Sequence, residues 1–380
     1  GITATASAQE TTTGGATNEQ TAPAGPAPEA PEIEAQSWAL LDLESGAYLD
    51  GRNPDERLPI ASTTKIMAAL VALEEGADLE REVTVSGDAE EFVGLTYSNV
   101  GLIAGERLTV RELLVAALVP SGTEAVYALA EALGDGSVDR FVEKMNEQAA
   151  SMDLENSNFE SPAGFDTPDN YSSARDLAKI AHAAMEYPVF AEIVETQEAT
   201  LSTQNRVIEV FNTNNLLYFY PEATGVKTGT SPEAGPSLVA SARDGEELYI
   251  AVLLDARDEE YRFEAAQTLL EYAFANYEHR PLVEQDESLE RLEVPYRRGE
   301  FVELAAAENV VGPSGPGVEA ERRVETREPP PAAQAGQELG KVEVLVNGES
   351  VGSTPLVATS GYEEASLWQK AWYWTQGLFE

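Results

Sequence analysis

The 380-residue chain has no cysteine and only two histidines, His182 and His279. A thiol nucleophile is therefore excluded, and a serine–histidine triad has few residues to draw on. Lysine and arginine number 24 against 67 aspartates and glutamates, which gives a net charge of −43. Such a surface repels phosphate backbones, so we expect no nucleic-acid partner. Every apolar run is shorter than the roughly 18 residues of a membrane-spanning helix.

The first 36 residues differ in composition from the rest of the chain. They contain four prolines, five glutamates and no basic residue. Too little apolar surface is present to offset the entropy of ordering, so residues 1–36 are predicted to be a disordered acidic tail. Within this tail, Ala6-Ser7-Ala8 matches the small-residue end of a secretory signal. The tail therefore predicts a secreted, extracytoplasmic protein.

Apolar periodicity predicts an α/β domain over residues 37–280. Trp38 opens a strand that a tight turn at Glu44-Ser45-Gly46 joins to a second strand, forming a hairpin. Helices are predicted from Ser62 to about Gly76 and over 109–119, 124–133, 138–151, 174–186 and 261–277, with strands over 236–242 and 248–255. An early strand, a helical middle and late strands indicate one sheet that collects both ends of the domain.

The pattern of apolar residues changes again beyond residue 280. Short strand-like pieces predict a small β-sandwich-like domain over 281–360, and Asn347-Gly348 predicts a tight hairpin turn within it. A stretch rich in proline and glycine, 312–338, is predicted to be a loop.

The final segment, 361–380, holds three of the four tryptophans at helical spacing. Its pattern predicts an amphipathic helix, either lying at a membrane interface or docked on the β-domain.

Ser62 and Lys65 lie three residues apart at the start of the first predicted helix. Residues at this spacing share a helical face, so the lysine amine can reach the serine hydroxyl. A helix N-terminus also carries positive partial charge, which suits a developing oxyanion. The pair alone is weak evidence, because a helix-capping serine followed by a surface lysine has the same spacing.

Two later segments offer matching chemistry. Ser121-Gly122-Thr123 is a polar break between two apolar helices, although it is also ordinary helix-start sequence. The run from Lys227 to Thr230, on a predicted strand edge, adds a second ammonium, two hydroxyls and the small Gly229. Two lysines facing one site would lower each other's pKa and leave one neutral enough to act as a base.

Taken together, these segments resemble the motifs of the penicillin-recognising serine peptidases, and more narrowly the low-molecular-weight penicillin-binding D-alanyl-D-alanine carboxypeptidases. The segments occur in the family's order, and their leading residues are 59 and then 106 positions apart. Further similar segments begin at Trp38, Leu58, Tyr171, Gly225 and Ser237. The resemblance covers about residues 37–360 and implies the family's fold, an α/β transpeptidase domain followed by a smaller all-β domain.

The resemblance also implies roles for individual residues. Ser62 would be the acylated nucleophile, Lys65 its general base, and Ser121 the relay that passes a proton to the leaving amine. The remaining motif residues would bind substrate: Thr123, Lys227, Thr228, Gly229 and Thr230. The N–H groups of Ser62 and Thr230 would form the oxyanion hole, and either Arg257 or Arg262 would help to bind the terminal carboxylate.

One residue departs from the family pattern. The third position of the second motif is usually asparagine, and here it is Thr123. Its hydroxyl is shorter than an amide and offers one donor rather than two, which puts substrate-backbone recognition in doubt.

The resemblance implies peptidoglycan stem peptides and β-lactams as ligands, and no metal or other cofactor. The expected reaction is removal of the terminal D-alanine. The alternatives are a D,D-endopeptidase, a β-lactamase, which the missing deacylation loop and the appended β-domain disfavour, and a non-catalytic wall-binding relative.

Overall fold

The computed structural model of the chain describes residues 30–315 and 317–376, with the side chain of residue 376 left out. These residues form two compact units divided between Glu278 and His279, and residues 315 and 317 belong to the first unit. Most of the predicted acidic tail lies outside the described residues. Its last two residues are not a tail, because the first strand already begins at Ala35 and buries that side chain.

The first unit contains nine strands and nine helices among the described residues. Its strands are β1 (Ala35–Asp42), β2 (Tyr48–Arg52), β3 (Glu82–Thr84), β4 (Arg107–Thr109), β5 (Glu198–Ser202), β6 (Val207–Phe211), β7 (Ala223–Ser231), β8 (Gly235–Asp244) and β9 (Glu247–Ala256). Its helices are α1 (Lys65–Glu74), α2 (Gly87–Glu90), α3 (Val110–Leu118), α4 (Thr123–Leu133), α5 (Val138–Ser151), α6 (Ala174–Met185), α7 (Pro188–Glu195), α8 (Leu216–Phe219) and α9 (Tyr261–Asn276). A single 3₁₀ turn, Ala61–Thr64, precedes α1.

The main sheet is antiparallel and has the order β2-β1-β9-β8-β7. Both faces of β9 are covered: Ile250 and Val252 join the core beneath the helices, while Tyr249 on the other face contacts Phe274 of α9. A strand buried on both faces gives a continuous apolar run instead of an alternating one. The predicted α/β arrangement is confirmed, and it leaves β7 at an edge of the sheet.

Local capping sets where several helices begin. Thr109 and Glu112 form a reciprocal capping box at α3, and Ser173 accepts a hydrogen bond from the Asp176 N–H at α6. The helices predicted over 109–119, 124–133, 138–151, 174–186 and 261–277 are confirmed to within a residue or two.

The second unit is built mainly from strands. They are β10 (Glu278–Val283), β11 (Ser288–Glu293), β12 (Phe301–Ala306), β13 (Val310–Ser314), β14 (Ala320–Thr326), β15 (Glu338–Val346) and β16 (Glu349–Ala358). Five of them form an antiparallel sheet in the order β11-β12-β16-β15-β14, and β10 pairs with β13. Asn347 and Gly348 both have positive φ, 49° and 88°, as a type I′ hairpin requires. That predicted turn is confirmed.

The predicted loop 312–338 is wrong in part. Its first residues belong to β13, and its middle forms β14, which pairs with β15 along seven residues. The strand is highly charged, with Arg322 and Arg323 between glutamates, because it lies at the edge of the sheet, where charge discourages pairing with other chains.

The last described helix is α10 (Leu367–Gln376). Tyr373 makes an edge-on contact with Tyr296 at 5.6 Å and lies beneath the Arg298 guanidinium. Leu367, Trp368, Trp372 and Trp374 are nevertheless exposed. Among the described residues, no helix combines the length and apolarity needed to cross a membrane.

Candidate active site

Ser62 and Lys65 are brought together by the 3₁₀ turn that precedes α1. Side chains at i and i+3 of such a turn lie one above the other. Lys65 Nζ donates to Ser62 Oγ over 2.8 Å, and the lysine side chain is only 1% exposed. The predicted contact between the two side chains is confirmed.

Ser121 reaches the same lysine from a distant part of the chain. It follows α3 with a φ of 66°, a strained value for a residue other than glycine. Its Oγ accepts a hydrogen bond from Lys65 Nζ at 3.5 Å. The next residue must be small, because a Cβ on Gly122 would lie 2.8 Å from the carbonyl oxygen of Ala116. Lys65 therefore contacts both serines of the motifs.

Thr123 begins α4 directly after this turn. It is buried, and its N–H donates to the carbonyl oxygen of Ser98 over 2.8 Å. The departure from the family pattern thus lies where α4 meets the loop that contains Ser98.

The edge strand β7 supplies the third segment. A Cβ on Gly229 would lie 2.8 Å from the carbonyl oxygen of Ile60, so only glycine lets β7 run this close to the turn that holds Ser62. Thr228 Oγ1 shares a hydrogen bond with Thr213 Oγ1 at 2.7 Å. Lys227 is buried and donates to the carbonyl oxygen of Thr228 over 3.0 Å. Thr230 is exposed at the end of this edge.

The structure distinguishes the two arginines that the sequence left open. Arg262 is buried, and its Nη1 donates to Thr230 Oγ1 over 2.7 Å and to the Gly229 carbonyl oxygen over 3.1 Å. Arg257 instead forms ion pairs at the surface with Glu34 and Asp258. Arg262 is therefore the one of the two arginines that contacts the third motif segment.

Burial lowers the pKa of the Lys65 ammonium from 10.5 to about 7, and the negative charge of Glu124 opposes part of that decrease. Burial also lowers the pKa of Lys227 well below its ordinary value, with further lowering by the charges of Lys65 and Arg262. From the sequence we expect mutual repulsion to cause both decreases. Desolvation is instead the largest cause for each lysine, and repulsion between the two contributes only at Lys227.

Glu124 is the residue whose importance the sequence did not reveal. It lies in the first turn of α4, where a negative charge is favourable, and its side chain is fully buried. Its Oε1 accepts hydrogen bonds from the N–H groups of Val100, Gly101 and Leu102 at 2.7, 2.9 and 3.2 Å. Glu124 therefore holds the loop that passes over Thr123, and places a negative charge near Lys65. The apolar residues that follow it, Ala125 and Val126, were the available signal of burial.

His182 and Asp166 have structural partners. His182 Nδ1 lies 2.9 Å from the carbonyl oxygen of Leu43, and Asp166 accepts a hydrogen bond from Ser231 Oγ at 2.6 Å. Within the described chain, no group of three or more metal-ligating side chains comes together.

Comparison with known proteins gives two family matches. Residues 24–258 match the model described as D-alanyl-D-alanine carboxypeptidase, and residues 277–364 match the C-terminal domain of penicillin-binding protein 5.

Similar curated proteins span most of the chain. The D-alanyl-D-alanine carboxypeptidase DacF of Bacillus subtilis is 33% identical, covering 88% of this chain and 87% of its own length. The carboxypeptidase DacA of Haemophilus influenzae is 32% identical, covering 92% and 91%.

Solved structures agree with these matches. Penicillin-binding protein 5 of Haemophilus influenzae superposes with a TM-score of 0.71 at 32% identity, covering 88% of this chain and 99% of the other. The DD-transpeptidase of a Streptomyces strain superposes with a TM-score of 0.62 at 36% identity, covering 65% and 99%.

Proposed function

The chain belongs to the family of serine-type D-alanyl-D-alanine carboxypeptidases, and from that premise we propose that it removes the terminal D-alanine of peptidoglycan stem peptides through an acyl-enzyme on Ser62. The observation that carries the proposal is the 2.8 Å contact between Lys65 Nζ and Ser62 Oγ. A buried lysine whose pKa is about 7 is neutral in about half of the molecules at neutral pH, so it can accept the serine proton.

Acylation begins when Ser62 Oγ attacks the carbonyl carbon of the penultimate D-alanine while its proton passes to Lys65. The N–H groups of Ser62 and Thr230 stabilise the resulting oxyanion. The close approach of Gly229 to the Ile60 carbonyl supports this role, because it brings the edge of β7 against the turn that holds the nucleophile.

Collapse of the tetrahedral intermediate requires a proton on the departing amine. Ser121 is suited to deliver it, since its Oγ already contacts Lys65 Nζ and can receive the proton that the lysine took from Ser62. D-alanine then leaves, and Lys65, neutral again, activates a water that hydrolyses the ester and restores Ser62.

The hydroxyls of Thr228 and Thr230 bind the terminal carboxylate of the substrate. The buried guanidinium of Arg262 supports them, because it contacts Thr230 Oγ1 directly and adds positive charge beneath the hydroxyl. This arrangement favours a free carboxylate one residue beyond the scissile bond. Lys227, buried beside this strand edge, donates to the Thr228 carbonyl oxygen and so helps to hold the edge that binds the substrate.

An extracytoplasmic, secreted location follows from the proposed substrate, which lies outside the cytoplasm. Helix α10 is the segment suited to bring the protein to a membrane surface. Tyr373 attaches one side of the helix to Tyr296, and three tryptophans remain exposed for burial at the lipid interface.

Labelling with a fluorescent penicillin tests the catalytic proposal. Ser62→Ala is expected to lose both covalent labelling and D-alanine release, because each requires the same hydroxyl, whereas Ser353→Ala, an exposed serine of the second unit, keeps both. Labelling of Ser62→Ala at one equivalent would show that another residue is the nucleophile. A wild-type protein that labels but cleaves only crosslinked peptides would favour the D,D-endopeptidase.

A further inference from the structure

Glu106 and Arg206 form an ion pair that no step of the proposed reaction uses. Arg206 Nε and Nη2 donate to the two carboxylate oxygens of Glu106 over 2.8 and 2.9 Å. The carboxylate is buried, with 1% of its side chain exposed, whereas the guanidinium side chain is 41% exposed. A buried carboxylate that loses its cation is left uncompensated, so the pair firmly joins the two segments that carry it.

The ion pair fastens the tip of the β5–β6 hairpin to residues 98–106, called here the covering loop. Arg206 Nη2 also donates to the carbonyl oxygen of Gly101, and Glu106 accepts the N–H of Ile103 over 3.1 Å. Both members of the pair therefore hold the backbone of the covering loop as well as each other. They are 100 positions apart in the chain, so only tertiary packing brings them together.

The hairpin is itself attached at both ends. Near its tip, Gln204 Nε2 donates to the carbonyl oxygen of Gly105 over 2.8 Å. Just beyond its other end, the N–H of Thr213 donates over 3.1 Å to the carbonyl oxygen of Val119, two residues before Ser121. The hairpin therefore connects the covering loop with the chain that leads into the second motif.

The inner side of the covering loop contacts the second motif directly. The carbonyl oxygen of Ser98 accepts the N–H of Thr123 over 2.8 Å. Glu124 Oε1 accepts the N–H groups of Val100 and Leu102 over 2.7 and 3.2 Å. In the part of the chain that the structure describes, the other oxygen of this buried carboxylate has no hydrogen-bond partner. The charge of Glu124 therefore depends on the N–H groups of the covering loop.

Closure of the covering loop affects the residues that surround Lys65. Glu124 lies three residues after Ser121, whose Oγ accepts a hydrogen bond from Lys65 Nζ. Its negative charge also opposes part of the decrease that burial causes in the pKa of Lys65. If the loop moved away, Thr123 and Glu124 would both lose their backbone partners in it. The second motif would then lose the fixed geometry that proton relay requires.

We propose that Arg206 and Glu106 are positioning residues for acylation, because their ion pair keeps the covering loop closed on Thr123 and Glu124. The inference rests on the proposed function for the reaction that it assists. It adds a requirement for the β5–β6 hairpin, which lies outside the three motifs. The geometry requires arginine, since a lysine ammonium cannot bind two carboxylate oxygens and the Gly101 carbonyl oxygen in the same way.

Two variants of the full-length protein test this role. Arg206→Met removes the charge, and Glu106→Gln keeps the shape but can accept through only one of its two terminal atoms. Hydrogen exchange at the amides of residues 100–102 should become at least about tenfold faster in each, because the broken pair destabilises the closed loop. The second-order rate constant for acylation by a fluorescent penicillin should fall at least about threefold, since only the closed fraction reacts. The fraction of molecules labelled at saturation should stay as in the wild type.

Matched changes separate positioning from general stability. Arg107→Met removes an exposed ion pair with Glu82, beside Glu106 in the chain, and should alter neither measurement. Arg206→Lys keeps the charge but not the paired contact, so it should give intermediate values, and it tests the role if Arg206→Met does not fold. Combining Arg206→Met with Glu106→Gln should add little to either single change, because both break one contact.

Four results would overturn the role. A smaller fraction labelled at saturation with an unchanged rate constant would assign the ion pair to stability alone. Faster exchange with unchanged acylation would show that the covering loop does not position the reacting groups. Unchanged exchange in every variant would show that the pair does not close the loop. A wild type that takes no label would overturn the proposed function, and this role with it.

Discussion

Replacing Lys65 with methionine should abolish acylation and at the same time stabilise the protein. The folded pKa of about 7, against 10.5 for a solvated lysine, measures how strongly burial disfavours the charged amine. This difference corresponds to about 5 kcal/mol, at 1.36 kcal/mol per pKa unit. Methionine has similar length and no charge, so it removes the penalty and loses mainly the hydrogen bond to Ser62, which contributes about 1 kcal/mol.

The pH dependence of the stabilisation by Lys65→Met tests whether desolvation of the amine is its cause. Between pH 7 and 10.5 the unfolded chain carries the Lys65 proton and the folded chain does not, so the stability of the wild type rises with pH across this window, by about 1.4 kcal/mol per unit. Below pH 7 the full penalty is present. The advantage of Lys65→Met should therefore be greatest at pH 6, up to about 4 kcal/mol, and should shrink by roughly 2 kcal/mol between pH 7 and 9.

Denaturant unfolding at pH 6, 7, 8 and 9, followed by circular dichroism, measures this difference. Lys341→Met, at an exposed lysine of β15, is the matched control and should stay within about 0.5 kcal/mol of the wild type at every pH. An advantage for Lys65→Met that does not vary with pH would refute the argument, because packing would then be its source. A variant less stable than the wild type at pH 6 would show that the buried amine carries no desolvation penalty.

Four other experiments give separate tests. Wild-type acylation should rise with pH along a limb near 7 and then level off, since the neutral form of Lys65 is the base; a flat profile from pH 6 to 10 would contradict a titrating lysine. Arg262→Ala should raise KM for a D-alanyl-D-alanine peptide at least about tenfold, as expected for one charge-assisted hydrogen bond, while Arg257→Ala leaves it unchanged; equal effects would remove Arg262 from carboxylate binding. Thr123→Asn should raise kcat/KM by about tenfold if the threonine weakens backbone recognition, and a variant that stays at wild-type activity would refute that reason. Deleting residues 362–380 should abolish sedimentation with neutral vesicles but not activity on soluble peptides, and binding that survives the deletion would exclude α10 as the anchor.

Apolar periodicity and turn residues predicted much of the fold, because interactions between residues close in sequence determine those elements. The contact between Ser62 and Lys65 depends only on helical spacing, and the hairpin turn at Asn347-Gly348 depends only on positive φ at two residues. Strand β14 was missed for the opposite reason. Its pairing with β15 is a long-range interaction, and its charged residues follow from a place at the sheet edge that sequence spacing does not reveal.

The candidate site shows the same division between local and distant interactions. Arg257 and Arg262 lie in the same charged stretch, and only the packing of α9 against β8 brings the second guanidinium beneath Thr230. Glu124 looked like an ordinary helix-start charge because its partners, the N–H groups of residues 100–102, lie more than twenty residues earlier in the chain. Motifs predicted which side chains meet, whereas tertiary packing determined which charges surround them.

The two serines and the strand edge at Lys227 come from parts of the chain 59 and 106 residues apart, and Lys65 acquires its low pKa only after all of them enclose it. An unfolded or partly unfolded molecule has a solvated, protonated lysine and an inert serine. On the proposed mechanism, covalent labelling by penicillin therefore detects only the native molecules in a mixture, at low denaturant or in crude extract. The fraction labelled at saturation becomes a direct measure of how much of a preparation has folded.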